Sequence, residues 1–316
     1  MTSRARLATW GLVALLAVDV ALISLAFRNP FRQPLASTVS VTTDAASTHS
    51  SPPSAPPTTT ATAPPPAETS APARGPLGIV AVDASSAWKF RQGACPAGGS
   101  KLWHSANGGR TWDEIAIPFS VISRVQVTDS TKILVVGSES TCRESALHSS
   151  DTGKTWSPGG ALSLWYPSPA TPKEVVNSAG RVSTPCGETD AVSVSSLSAT
   201  SAAVLCGNGK VMETANAGST WVEIARNLKA AALAVRLEAG KLAAIVAHPG
   251  DGCSGAQLSV VVGTTVRKIG CVDLGGRESA GLIGEAALGI EGDAGWFVLD
   301  DATYRSDDGG KTWAAA

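Results

Sequence analysis

Ser306-Asp307-Asp308-Gly309-Gly310-Lys311-Thr312-Trp313 stands three residues from the end of the 316-residue chain. The same pattern occurs three times before it: Ser105-Ala106-Asn107-Gly108-Gly109-Arg110-Thr111-Trp112, Ser149-Ser150-Asp151-Thr152-Gly153-Lys154-Thr155-Trp156 and Thr214-Ala215-Asn216-Ala217-Gly218-Ser219-Thr220-Trp221. Each copy reads Ser/Thr-x-Asp/Asn-x-Gly-x-Thr-Trp. An Asp or Asn side chain at the third position can turn back onto backbone N–H groups and close a tight turn. Gly at the fifth position takes a positive φ at little steric cost. Thr and Trp then suit the pleat of the next strand.

The flanks extend the signal. Leu102-Trp103-His104, Ala146-Leu147-His148, Val211-Met212-Glu213 and Thr303-Tyr304-Arg305 precede the four copies. Two residues before each copy stands a large apolar or aromatic side chain, and one before it a polar one. That is a period-2 strand running into a turn. The unit resembles the Asp box, the BNR-repeat hairpin of sialidase-like, sortilin-like and photosystem II assembly factor-like β-propellers. The resemblance implies an all-β propeller and covers only the repeat. It names no activity, because one fold hosts many functions.

The copies lie 44, 65 and 92 residues apart. The first spacing suits one blade of about 40–50 residues, and the longer gaps imply blades without the motif. Strand-like runs fill those gaps at Ala191–Leu205, Ala230–Ala247 and Leu258–Ile269. About 240 residues then imply about six blades, with five to seven as the range. The first strand, near Gly78–Val82, is expected to complete the last blade's sheet.

Three segments follow. Residues 1–28 are read as a cytoplasmic tip and membrane anchor, 29–75 as a disordered linker, and 76–316 as the propeller. Arg4 and Arg6 precede Leu7–Phe27, an apolar run whose only charge is Asp19. Such a run spans about 31 Å as a helix, one hydrocarbon core. Arg28 and Arg32 follow it, which favours a single-pass anchor with the propeller extracytoplasmic. The alternative is a signal cleaved near Ala26 and a secreted product. Nine Pro lie between Pro52 and Pro76 among Ser, Thr and Ala, a composition that cannot bury a core.

From Gly75 onward there are 20 Lys/Arg against 23 Asp/Glu, so no basic face points to nucleic acid. All six cysteines lie in the propeller, and an even count in an exported domain implies three disulfides. Fifteen pairings are possible. Position in the repeat favours Cys95–Cys142, Cys186–Cys206 and Cys253–Cys271. No C-x-x-C occurs and the four His are scattered, so no metal or cofactor is expected. His104 and His148 share a repeat position, which strand alternation alone explains.

The sialidase-like relatives carry an arginine cluster, a Tyr nucleophile assisted by Glu, and an acidic proton donor. Here Phe90-Arg91-Gln92 lacks the Ile-Pro that follows the first arginine in those enzymes. Tyr304 falls at an apolar repeat position, which leaves Tyr166 as candidate nucleophile without an evident Glu. The loop acids Glu139, Glu144, Glu188, Asp190, Asp251 and Asp273 show no spacing that singles out a glycosidase pair. Trp165 and Tyr166 lie outside the repeat in a Pro-flanked run, and loop aromatics make a candidate ligand contact. The reading is a monomeric, non-catalytic binding or scaffold propeller whose partner is an envelope protein or a glycan. The alternative is a glycoside hydrolase-like enzyme.

Overall fold

The computed structural model describes residues 75–159, 165–277 and 281–316. The expected anchor, its Asp19 and almost all of the linker lie outside them. Among the described residues no helix is long and apolar enough to cross a membrane.

Six antiparallel sheets make six blades, the middle of the expected range. Blade I holds Leu77–Ala81 (β1), Ala87–Arg91 (β2), Lys101–Ser105 (β3) and Asp113–Ile115 (β4). Blade II holds Val121–Val127 (β5), Ile133–Ser138 (β6), Glu144–Ser149 (β7) and Ser157–Pro158 (β8). Blade III has three strands, Tyr166–Pro167 (β9), Val175–Val176 (β10) and Val182–Ser183 (β11). Blade IV holds Ala191–Ser196 (β12), Ala202–Cys206 (β13), Val211–Thr214 (β14) and Val222–Glu223 (β15). Blade V holds Ala232–Glu238 (β16), Lys241–His248 (β17), Gly255–Val262 (β18) and Thr265–Asp273 (β19). Blade VI holds Ala286–Glu291 (β20), Ala294–Leu299 (β21), Ala302–Ser306 (β22) and Ala314–Ala315 (β23).

The first strand of each blade lies innermost, and β1, β5, β9, β12, β16 and β20 follow one another around an axis. A sheet whose two faces are both covered reads as a continuous apolar run. Ala202–Cys206 and Ala294–Leu299 are such runs, and every residue in them is buried. Six apolar clusters fill the six joints between neighbouring blades. The joint between blades II and III is lean, with Val136, Tyr166 and Val176 at its centre.

The expected closure is corrected. β1 pairs with β2 inside its own blade, from Leu77 opposite Arg91 to Ala81 opposite Ala87, and blade VI is complete without it. Blades I and VI meet instead through loops and side chains. Leu77 N donates to Gly284 O at 2.7 Å. Trp112 Nε1 reaches Thr303 Oγ1 at 3.1 Å, and Trp296 Nε1 reaches Asp83 O at 2.9 Å.

Candidate functional site

All four repeats sit between the third and fourth strands of their blades and share one bond set. The first-position hydroxyl accepts the fifth-position N–H at 2.9, 2.8, 3.1 and 2.9 Å, for Ser105, Ser149, Thr214 and Ser306 with Gly109, Gly153, Gly218 and Gly310. Oδ1 of Asn107, Asp151, Asn216 and Asp308 accepts the N–H of Thr111, Thr155, Thr220 and Thr312. The fifth-position glycines have φ of +77° to +90°. The fourth position is left-handed as well, even where it is Thr152 or Ala217, a feature the sequence reading missed. These residues therefore close hairpins and leave no chemistry to spare.

The disulfides are Cys95–Cys142, Cys186–Cys206 and Cys253–Cys271, the pairing favoured from repeat position. The first ties blade I to blade II, the second ties the segment after β11 to blade IV, and the third lies inside blade V.

Trp165 and Tyr166 do not form a contact surface. They are 1% and 4% exposed. Trp165 Nε1 donates to Ser198 O at 2.9 Å, and its ring meets Trp221 edge-on at 5.7 Å. Trp296 does the same at the joint of blades VI and I, three joints round the ring, donating to Asp83 O and meeting Trp112 edge-on at 6.0 Å. Trp165 is thus a joint residue placed under the hairpin of blade IV.

Tyr166 does have a carboxylate, which corrects the sequence reading. Its hydroxyl donates to Glu144 Oε2 at 2.8 Å, and Ser168 Oγ donates to Glu144 Oε1 at 3.1 Å. Burial, then the bond to Glu144, pushes the phenol well above its ordinary range. A nucleophile needs the opposite shift. The other loop acids are dispersed: Glu188 pairs with Lys173 at 2.9 Å, and Asp273 accepts from Ser254 Oγ across the β18–β19 ladder and from Gly275 N in its own loop. Among the described residues no three His, Cys, Asp or Glu come together as a metal cluster. His104 stacks on Trp88 at 4.5 Å and bonds Ser86 Oγ at 3.1 Å, and His148 is exposed on the next blade.

Two of the charged openings stand out, one at a blade joint and one on the axis. A cleft of about 330 Å³ lies at the seam of blades I and VI, lined by Lys89, Arg91, Lys101, Trp103, Asp300 and Asp301. Lys89 is 5% exposed, with its ammonium 5.1 Å from the Trp103 ring and 4.7 Å from the Trp112 ring. Burial lowers its pKa, and nearby Asp301 opposes that. Cation–π contact with two indoles is a recognised way to hold a desolvated ammonium. Arg91 binds Glu285 at 3.1 Å and Asp300 at 3.9 Å. The second opening is an axial cavity of about 130 Å³, lined by the innermost strands and by Arg124.

The described chain is an Asp-box β-propeller of six blades, and the BNR/Asp-box repeat family matches it over residues 304–315. A search of curated proteins gives no match. Among solved structures it is similar to YCF48 from Cyanidioschyzon merolae, at 17% identity over 77% of this chain and 84% of that one, with a TM-score of 0.37. It is similar to the SapL1 lectin in complex with α-methyl fucoside, at 15% identity over 76% and 95%, with a TM-score of 0.46. It is also similar to Trypanosoma rangeli sialidase in complex with the inhibitor DANA, at 13% identity over 77% and 54%, with a TM-score of 0.35. The fold of this chain rests on its own six sheets.

Proposed function

We propose that this chain is a non-catalytic binding propeller, held to a membrane by residues 7–27 and set off from it by the linker 29–75. The observation that carries the reading is the seam cleft. It combines a half-buried indole, Trp103, with charges of both signs, and Lys101 and Asp301 stand exposed at its rim. Aromatic faces beside charged hydrogen-bonding groups suit a peptide or a glycan. Asp300 is already engaged by Arg91 and by Arg277, at 3.9 and 3.7 Å, so it serves the cleft's architecture. The buried Tyr166–Glu144 pair is the one observation on the side of hydrolysis, and the phenol's raised pKa argues against it.

The test uses the full-length protein in detergent, immobilised beside a Trp103→Ala/Lys101→Glu variant. Both are exposed to solubilised envelope proteins and to a glycan array. A ligand kept by the wild type and lost by the folded variant supports the reading. If the wild type keeps nothing above a blank surface, the binding role falls. For the tether, an alkaline wash of membranes should leave the full chain behind and release a version lacking residues 7–27.

A further inference from the structure

Among the described residues the axial cavity is lined by one cation, Arg124, which has no ion-pair partner. Arg124 sits on β5 directly after a bulge, where pairing with β6 slips between Ile122 and Arg124. Bulges re-aim side chains and are frequent beside functional sites. Here the bulge sends the guanidinium across the short inner strand of blade III, whose contribution to the cavity wall is Pro167. Nη1 donates to Val194 O of blade IV. Nε is buried and has no partner among the described residues. No described carboxylate lies within salt-bridge distance, and burial alone lowers the pKa, to about 10, so the group stays charged at neutral pH. Arg124 as a whole is half-buried and lines the cavity.

A desolvated cation with free donors is costly until an anion meets it. The cavity fits a specific class of anion. Its volume of about 130 Å³ is near that of apolar cavities, ~150 Å³, which hold benzene. The hydroxyl residues Ser123, Ser193 and Ser195 line it beside apolar Leu77 and Leu233. The one acidic lining residue is the exposed Glu291, at the end of β20. One arginine opposed by one carboxylate at the rim favours a single negative charge over two. A planar carboxylate matches the fork of a guanidinium.

We propose that the axial cavity binds a small monocarboxylate through Arg124, either a free short-chain acid or the C-terminal carboxylate of a peptide entering along the axis. The same arginine bridges blade II to blade IV, so ligand binding tightens the ring at its leanest joint. This inference stands independently of the seam cleft and its partner.

Calorimetric titration of the full-length protein in detergent with sodium propionate tests it, against sodium chloride at equal ionic strength. Two further arms use a tripeptide with a free C-terminus and the same peptide amidated. Saturable one-to-one binding of propionate is expected, at least about tenfold weaker in Arg124→Gln and partly retained in Arg124→Lys. The near-UV spectrum of the tryptophans reports whether each variant is folded. If Arg124→Gln fails to fold, the decision passes to Arg124→Lys and to a wild-type melting temperature that rises with propionate beyond the chloride control. Binding of the free-ended peptide and not of its amide identifies a chain end as the ligand, and binding of propionate alone identifies a free acid. No saturable binding by the wild type overturns the proposal, as does equal binding by Arg124→Gln. Equal or tighter binding of chloride or inorganic phosphate overturns the carboxylate assignment.

Discussion

Four blades carry the Asp box and two do not, and the two groups hold their edges differently. In the box-bearing blades I, II, IV and VI the outermost strands have three, two, two and two residues. Ladders that short are marginal by themselves. The box supplies the missing hold through its hydroxyl and carboxamide or carboxylate bonds, all within eight residues. Blade V has no box, turns through Gly263-Thr264, and ends in a nine-residue strand paired along its length with β18. Blade III has neither a box nor a long strand. It borrows from its neighbours, through Tyr166 on Glu144 of blade II, Trp165 beneath the hairpin of blade IV, and Cys186 bonded to Cys206. Box and ladder are two ways of keeping an outer edge in place, and borrowed contacts hold blade III mainly from its inner strand.

The largest effect is expected where the hold is borrowed. Trp165→Ala removes a fully buried ring and its bond to Ser198 O, and should cost about 4 kcal/mol in denaturant unfolding. A loss below ~1 kcal/mol would return this residue to the surface-contact role first read for it.

A smaller contrast separates box from ladder. A Cβ on Gly109, at φ +88°, would stand 2.5 Å from Thr303 Cγ2 and 3.1 Å from Trp296. Gly109→Ala should cost about 2–3 kcal/mol, combining overpacking with left-handed strain. Gly263 is also left-handed, at φ +58°, but a Cβ there meets nothing within 4 Å. Asn tolerates that conformation, so Gly263→Asn should cost less than ~1 kcal/mol. Equal losses at the two sites would sink the distinction.

The smallest effect separates the boxes themselves. Boxes I and IV use the neutral Asn107 and Asn216, whereas boxes II and VI use Asp151 and Asp308. The Thr155 hydroxyl, above all, holds Asp151 down at about 2, and the Thr312 hydroxyl holds Asp308 still lower. A carboxylate with a depressed folded pKa stabilises above its unfolded value near 3.8, and that contribution is lost as pH falls toward the folded value. Melting temperature should therefore drop between about pH 4 and pH 2. Asp151→Asn/Asp308→Asn should flatten that decline, and a double variant with an unchanged slope would refute the assignment.

The propeller was legible because every side chain of the box acts locally. Ser105, Asn107, Gly109 and Thr111 bond to one another, so eight consecutive residues carry their own explanation. Disulfide partners were legible for a related reason, since Cys95 and Cys142 occupy equivalent places in successive repeats. Long-range choices were not. Leu77-Gly78-Ile79-Val80-Ala81 suits either of two sheets by alternation, and only tertiary packing assigns it to β2. Trp165 and Tyr166 broke the repeat pattern because their blade is truncated, and a break in pattern was taken for exposure. Arg124 left one faint trace, the single charge in the strand Val121–Val127. The bulge that aims it along the axis has no signature in the sequence.

The seam between the first and last blades cuts no sheet. The ring is therefore a circle of self-contained modules rather than a belt fastened by a shared strand. A chain rearranged to begin at Gly281, with 281–316 moved ahead of residue 75, would preserve every ladder described here. For the same reason a whole blade can be gained or lost at this seam without orphaning a backbone edge. The number of modules in such a ring is then set by how well neighbours pack.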